Sequence, residues 1–332
     1  MVSKFKKIIR IAFHKITIYF SSFVTLISIS IKGFIYKLFG LRLGHLRQFS
    51  PKKLNIAAFS NKKYPLYKGD LRLSIAIPNL NQGPFIGQTI CSIVKQNFKN
   101  LELIIQDGGS TDNSLEIIEK YKNKIDHSYS GKDSGQASAI NSAFMKSSGD
   151  IMAWINSDDI YMPGTFDRVM ILFEDHPNVD VIYGNRLLID SDGRHIGNWV
   201  LPYHDGDALT WADYIPQETL FWRRRVWDAI GSQIDESFQF ALDWDLLLKF
   251  KKVNANFLHI PFFLACFRIH EAQKSSAEIS TFGLAEMNKI RIRVHGRVPS
   301  EEEIQIRLKK FFYHHKIADF FCRLRMIFLN GF

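Results

Sequence analysis

Four short apolar runs, at 71–78, 101–106, 125–130 and 151–155, are each followed by a polar turn and then by a stretch of helical periodicity. Strand and helix alternating in this way predict an α/β fold with a parallel, doubly wound sheet. Asp107, Asp133 and Asp158 stand just beyond the second, third and fourth runs. In such sheets ligands bind outside the carboxyl ends of the strands, so three carboxylates at one rim predict a ligand site.

The fourth run breaks abruptly into Asn156, Ser157, Asp158 and Asp159. Adjacent carboxylates at a strand end offer hard oxygen ligands to Mg²⁺ or Mn²⁺, an ion such sites usually share with a substrate phosphate. The competing reading is a helix cap ahead of Pro163, Gly164 and the periodic Phe166, Val169, Met170 and Phe173. Capping alone does not account for carboxylates after three successive strands. The loop at 107–114 holds two glycines, which let a backbone approach a phosphate or nucleoside closely, and Asp107 can accept from a ribose hydroxyl. It matches neither a dinucleotide fingerprint nor a P-loop.

At 332 residues and 46% hydrophobic content the chain can bury a full core. Cys91, Cys266 and Cys322 are widely spaced and odd in number, which argues against a disulfide framework or zinc site and suits a reducing compartment. The net charge of +10 is unevenly spread. Residues 1–69 hold 14 Lys or Arg and no acid, residues 291–332 hold 9 basic against 4 acidic, and the stretch between carries a net −9.

Residues 16–31 are uncharged, with Ile18, Phe20, Phe23, Val24, Ile27 and Ile31 on one helical face. The run is short for a span, which needs about 20 apolar residues, but suits an interfacial helix. Near the other end, Leu308, Phe311, Phe312, Phe320, Phe321, Leu324 and Phe328 lie among Arg307, Lys309, Lys310, Lys316, Arg323 and Arg325. Both ends predict peripheral attachment to an anionic membrane surface rather than nucleic-acid binding; the alternative is helices packed on the core.

Beyond Val179 the pattern changes to a hairpin around 191–193, a strand at 219–222 and a helix stopped by Gly231. This half is expected to shape an acceptor side. Trp199, Trp211 and Trp222 are candidate stacking faces, although such rings are more often core. The expected organisation is a basic amphipathic segment and connector at 1–69, catalytic halves at 70–178 and 179–290, and basic helices at 291–332.

The segments SIAIPNLN, IIQDGGSTDNS, GKDSGQASAIN, IMAWINSDDIYMPG, QETLFWRR, ALDWDLLLKF and FRIH stand in this order between Ser74 and His270. Together they resemble the family 2 glycosyltransferases, whose fold is the GT-A nucleotide-sugar-binding sandwich. The resemblance implies an inverting enzyme with a nucleoside-diphosphate-sugar donor, of the UDP type, and a glycan or lipid-linked oligosaccharide acceptor. It would place such an enzyme on the cytoplasmic face of the cell membrane, in bacterial surface-polysaccharide assembly. It also implies that Pro78, Asn81, Asp107, Asp133, Gln136, Asn156 and Ser157 surround the nucleotide, that Gln217 and Glu218 line the sugar pocket, and that Asp158 holds Mn²⁺ or Mg²⁺ with Asp159 or His270.

Two departures bear on that site. The family's metal motif is often Asp-x-Asp, and its first position here is Asn156; Ser138 stands where many members carry Asp. Asp243, opening a helix whose buried face is Leu246, Leu247 and Phe250, matches the family's base position, with Leu242 in place of the acid often before it. Asp243 could instead be only an N-cap, and Asp245 is its nearest competitor. The rival classes are a sugar nucleotidyltransferase, against which stands the lack of Lys or Arg in 79–84, and a non-catalytic membrane- or nucleic-acid-binding protein.

Overall fold

The structure, a computed structural model, describes residues 48–59, 65–271 and 282–329. The interfacial helix expected at 16–31 lies outside them. Among the described residues no helix is long and apolar enough to cross a membrane.

The fold is built outward from β2 (Leu73–Asn79), which is buried along its whole length. A continuous apolar run is what a strand covered on both faces requires. It pairs in parallel with β3 (Leu101–Asp107) on one side and β5 (Ile151–Trp154) on the other, and β3 pairs in parallel with β4 (His127–Ser130). Pro78 lies past the last β2–β5 pair, Ala76 with Trp154, so its missing N–H deprives no ladder partner. The crossovers are α1 (Gly83–Val94), α2 (Ser114–Lys120) and α3 (Gln136–Phe144).

The second half adds antiparallel pairing. β9 (Phe221–Arg223) joins β5 to β7 (Val181–Ile189), β7 turns into β8 (His195–Trp199), and β1 (Gln48–Lys52) pairs with β8. β10 (Phe257–Arg268) runs parallel to β7 and carries the short β6 (Ile160–Tyr161). The described residues thus form one ten-stranded sheet, as the alternating runs predict for its first half.

Alternate strand residues face opposite layers. Leu73, Ile75, Ile77, Leu103 and Ile105 pack under α1, α2 and α4 (Thr165–Asp175). Ala76, Ile104, Met152, Trp154 and Trp222 face α3, α7 (Leu242–Lys252), α8 (Leu284–His295) and α9 (Glu301–Leu329). Between them lie the short α5 (Ala208–Trp211) and α6 (Arg224–Ala229).

Two boundaries differ from the sequence pattern. Ile125 donates back to the Lys122 carbonyl, closing a 3₁₀ turn, so β4 begins at His127. Thr219 belongs to a 3₁₀ turn at Gln217–Thr219 whose hydroxyl donates to the Pro216 carbonyl, so β9 begins at Phe221. In α9, Ile304, Leu308 and Phe311 are core residues, whereas Phe320 and Phe321 are exposed. The apolar residues of this helix therefore divide between two faces.

Candidate active site

Parallel pairing of β5, β2, β3 and β4 brings four loops out at one edge of the sheet. The loop after β3 is organised by Asp107, which is fully buried. One of its oxygens accepts from Asn79 Nδ2 at 2.7 Å and Ser110 Oγ at 2.5 Å. The other accepts from the N–H groups of Gly109 and Ser110, at 3.1 and 2.9 Å, and from Ser130 Oγ at 2.7 Å. Burial alone would raise this carboxyl, but the donors, led by Ser110 and Ser130, hold it below the ordinary carboxylate range. Its oxygens are thus taken up in building the loop.

Asn81, with φ of 52°, accepts from the Thr111 N–H at 2.8 Å and donates its own N–H to Ser110 Oγ at 2.8 Å. Asparagine tolerates that left-handed backbone, and here it ties the β2 loop to the β3 loop. A side chain at Gly108 would meet Asp133 Oδ2 at 2.9 Å, so the absent Cβ leaves room for the Asp133 carboxylate of the β4 loop beside the β3 loop. Asp133 in turn accepts from the Gly135 N–H at 2.9 Å.

After β5, Gln136 Nε2 at the start of α3 donates to Asn156 Oδ1 at 2.7 Å. Thr89 Oγ1 on α1 contacts the carbonyls of buried Ser157 and Asp159, at 2.9 and 2.7 Å. Asp158 Oδ2 lies 3.0 Å from His270 Nε2, and the imidazole rests against the Phe85 ring at 4.6 Å. Asp159 is 1% exposed, and its Oδ1 accepts from the Arg268 N–H at 2.8 Å. Burial first, then the charges of Asp158 and Glu218, push its carboxyl well up. Asp158 and His270 therefore make a largely buried pair, with side chains 13% and 6% exposed, and Asp159 lies in the fully buried layer. Among the described residues no three His, Cys, Asp or Glu side chains cluster as a complete metal site.

The second half supplies the opposite wall. Gln217 Nε2 donates to the Trp154 carbonyl at 2.8 Å, leaving its buried Oε1 without a partner. Buried Glu218 meets Arg186 Nη1 at 3.4 Å through Oε2, and its Oε1 is also without a partner. Burial raises the Glu218 carboxyl despite Arg186. Asp243, half-buried in the first turn of α7, accepts from the Trp244 N–H at 2.9 Å, and burial pushes its carboxyl up to about 6. Asp245 is fully buried and ion-paired to Lys249 at 3.0 Å and to Arg293, which engages it in joining α7 to α8.

Asp213 and Arg186 complete this wall, and sequence reasoning missed both. Asp213 is crowded by protein yet open to water; that crowding, then the charge of Asp243, holds its carboxyl well up. Trp244 Nε1 donates to the Leu209 carbonyl at 2.7 Å, fixing the segment that carries Asp213 against the start of α7. The available signals were a lone acid among apolar neighbours in WADYIP and a lone cation inside an otherwise neutral strand. The three candidate tryptophans have structural partners: Trp222 is core, Trp211 stacks on His295 at 3.9 Å, and Trp199 donates to the Tyr214 carbonyl at 3.1 Å.

Residues 74–230 match the Glycosyl transferase family 2 model. This chain carries a family 2 glycosyltransferase domain. Chondroitin synthase of Escherichia coli is 30% identical over 215 residues, 64% of this chain and 30% of that one. The chain spans less than half the length of several curated relatives that it matches. Among solved structures, S. aureus TarS 1-349 in complex with UDP-GlcNAc superposes with a TM-score of 0.57 at 20% identity, covering 74% of this chain and 72% of that one. The mannosyltransferase PcManGT from Pyrobaculum calidifontis, in complex with GDP-Man and Mn²⁺, gives 0.53 at 15% identity, covering 80% and 77%. The shared fold is GT-A.

Proposed function

We propose that this protein is an inverting glycosyltransferase that moves a sugar from a UDP-sugar to a hydroxyl of a glycan or lipid-linked oligosaccharide. The observation that carries the reading is the grouping of Asp243, at the start of α7, with buried Gln217 and Glu218 and the Asp158–His270 pair beside a rim of ordered strand-end loops; burial raises the Asp243 carboxyl there. In the proposed step Asp243 takes the acceptor hydroxyl's proton while that oxygen bonds to the anomeric carbon. The bond from that carbon to the diphosphate breaks, and nucleoside diphosphate leaves with the electron pair. Attack opposite the leaving group inverts the centre.

Pro78, Asn81, Asp133, Gln136, Asn156 and Ser157 are assigned to the nucleotide, with Asp107 holding their loops in place. Gln217 and Glu218, each with a buried oxygen free to accept, are assigned to the sugar hydroxyls. A site of one carboxylate and one imidazole suits Mn²⁺ or Mg²⁺ only if phosphate oxygens and water complete the shell, which is how these ions commonly bind beside nucleotides. Asp158 and His270 would hold the ion, with Asp159 behind them. When bound, it neutralises charge on the leaving diphosphate. The TarS complex supports a uridine nucleotide and the PcManGT complex supports Mn²⁺. The basic ends support work at the inner face of the cell membrane, in surface-polysaccharide assembly.

Incubation with UDP-sugars, Mn²⁺ and acceptor glycans should release UDP in step with glycosylated product. A ligand at ~100 times its dissociation constant should also stabilise the fold by about 2.7 kcal/mol. Release of pyrophosphate instead would replace this reading with nucleotidyl transfer.

A further inference from the structure

The two faces of α9 have different surroundings. Its inner face is anchored: Ile304, Leu308 and Phe311 are buried, Phe311 packs on Tyr214 at 4.4 Å, and His315 Nδ1 lies 2.6 Å from the Val200 carbonyl. Arg307 lies over the Trp211 ring at 5.2 Å. Its outer face carries Ile306, Tyr313, Ile317, Phe320 and Phe321, which are 38% to 63% exposed. Ile306, Tyr313 and Phe320 recur every seven residues, so they form one stripe along the helix, widened by Ile317 and Phe321.

Charge borders that stripe. Lys309, Lys316 and Arg323 also recur every seven residues, following one edge, and Lys310, four residues after Ile306, lies within the stripe beside Ile317. From 304 to 324 the only acid is Asp319, which is ion-paired to Arg323. A large apolar face bordered by cations matches the boundary of an anionic bilayer, where aromatic rings enter below the headgroups and ammonium groups remain among the phosphates. A second copy of the same helix would set this positive border against itself.

We propose that the outer face of α9 docks the protein onto an anionic lipid bilayer. The same helix packs by its inner face on Trp211 and Tyr214, the residues on either side of Asp213. Docking therefore holds the lipid surface beside the segment that lines the acceptor wall, which suits an acceptor whose sugar stands on a membrane lipid. The position of that acceptor rests on the transferase reading, whereas the docking does not.

The test uses the full chain and sedimentation with vesicles of phosphatidylcholine containing 30% phosphatidylglycerol, without donor or acceptor. Replacing Ile317, Phe320 and Phe321 by Ser, all at exposed positions, should lower the partition constant at least tenfold while leaving the circular dichroism spectrum and thermal midpoint unchanged. Lys309→Glu with Lys310→Glu should lower it similarly and remove the preference over pure phosphatidylcholine. Unchanged partition in both variants overturns the proposal even if residues 1–47 bind lipid as well. So does a Ser variant that binds vesicles normally but changes from dimer to monomer in equilibrium sedimentation, which would give the face to a second copy. UDP release by each variant with a soluble acceptor tests the transferase reading separately.

Discussion

The loops after β2, β3 and β4 and the wall built from β7, β9 and α7 treat their carboxylates in opposite ways. Asp107 and Asp112 are held below the ordinary range by hydroxyl and backbone donors that overcome their desolvation. Asp159, Asp213, Glu218 and Asp243 are held above it by burial and by one another, with Arg186 the cation that offsets them. The first region spends its charge on fixing backbone, so it can position a ligand without reacting. The second raises its carboxyls, and Asp243, pushed up to about 6, is the one suited to taking a proton near neutral pH.

Asp158 stands where the two regions meet, and its loss should have the largest effect. Asp158→Asn is expected to abolish turnover and to remove the Mn²⁺ dependence of UDP binding, read by calorimetry with and without EDTA. Full activity of the wild type in EDTA would break the assignment. Asp243→Asn should follow, with turnover down by roughly 10² to 10⁴ and UDP affinity retained. Asp213→Asn sharpens that result. Asp243 is the proposed base, so near-normal turnover is expected there; a loss as deep as that of Asp243→Asn would move the base to Asp213.

The positioning region should fail differently. Asp107→Ala leaves the buried Asn79 and Ser110 donors, and the exposed Ser130 hydroxyl, without their shared acceptor, at a cost of about 3 kcal/mol in stability. Urea denaturation measures it, and a cost under about 1 kcal/mol would deny Asp107 its organising part.

Acidity separates the two regions further. A carboxyl whose folded pKa is raised disfavours the folded state above that pKa, and the penalty is released as pH falls towards the unfolded value near 4. For Asp243 the window runs from about 6 downwards. Asp243→Asn should therefore exceed the wild type by about 3 kcal/mol at pH 8 and converge with it near pH 4, while wild-type kcat/KM rises with pH through about 6. Asp107 has the opposite sign: its stabilisation is complete above the unfolded value and is lost as pH falls through its lower folded one. An Asp243→Asn advantage that does not change with pH would refute the tuning.

Much of the parallel half was legible because its information is local. The run from Leu73 to Asn79 is buried throughout, and the polar residues that follow it mark the rim. The wall proposed for the acceptor was not legible, because nothing near Asp213 in sequence says that it lies close to Asp243 and Arg186. Periodicity also hid the division of α9. Leu308 and Phe320 both fit an apolar helical pattern, and only packing against Trp211 and Tyr214 decides which is core. Asp245, two residues from the proposed base Asp243, differs from it in being ion-paired to Lys249 on its own helix and Arg293 on α8.

The smallest expected effect gives the finest test of the contrast. Asp112 accepts from the Gly83 N–H at 2.8 Å and from the Ser114 N–H at 2.9 Å, so one carboxylate serves the first residues of both α1 and α2. These N–H groups have no partner within their helices, and a carboxylate there also meets the positive end of each helix dipole. Asp112→Ala should cost about 1 kcal/mol, a cap's worth, because the site is exposed and water replaces part of the loss. Asp112→Asn, with one carbonyl oxygen left to accept, should cost about half as much. The kinetic consequence matters more than the stability. Loosening the two loops should raise KM for the UDP-sugar a few-fold and leave kcat nearly unchanged, since the proton is taken by the other wall. A variant that lowers kcat at constant KM would show that the first region also acts in the transition state, and the division between a positioning half and a reacting half would fail.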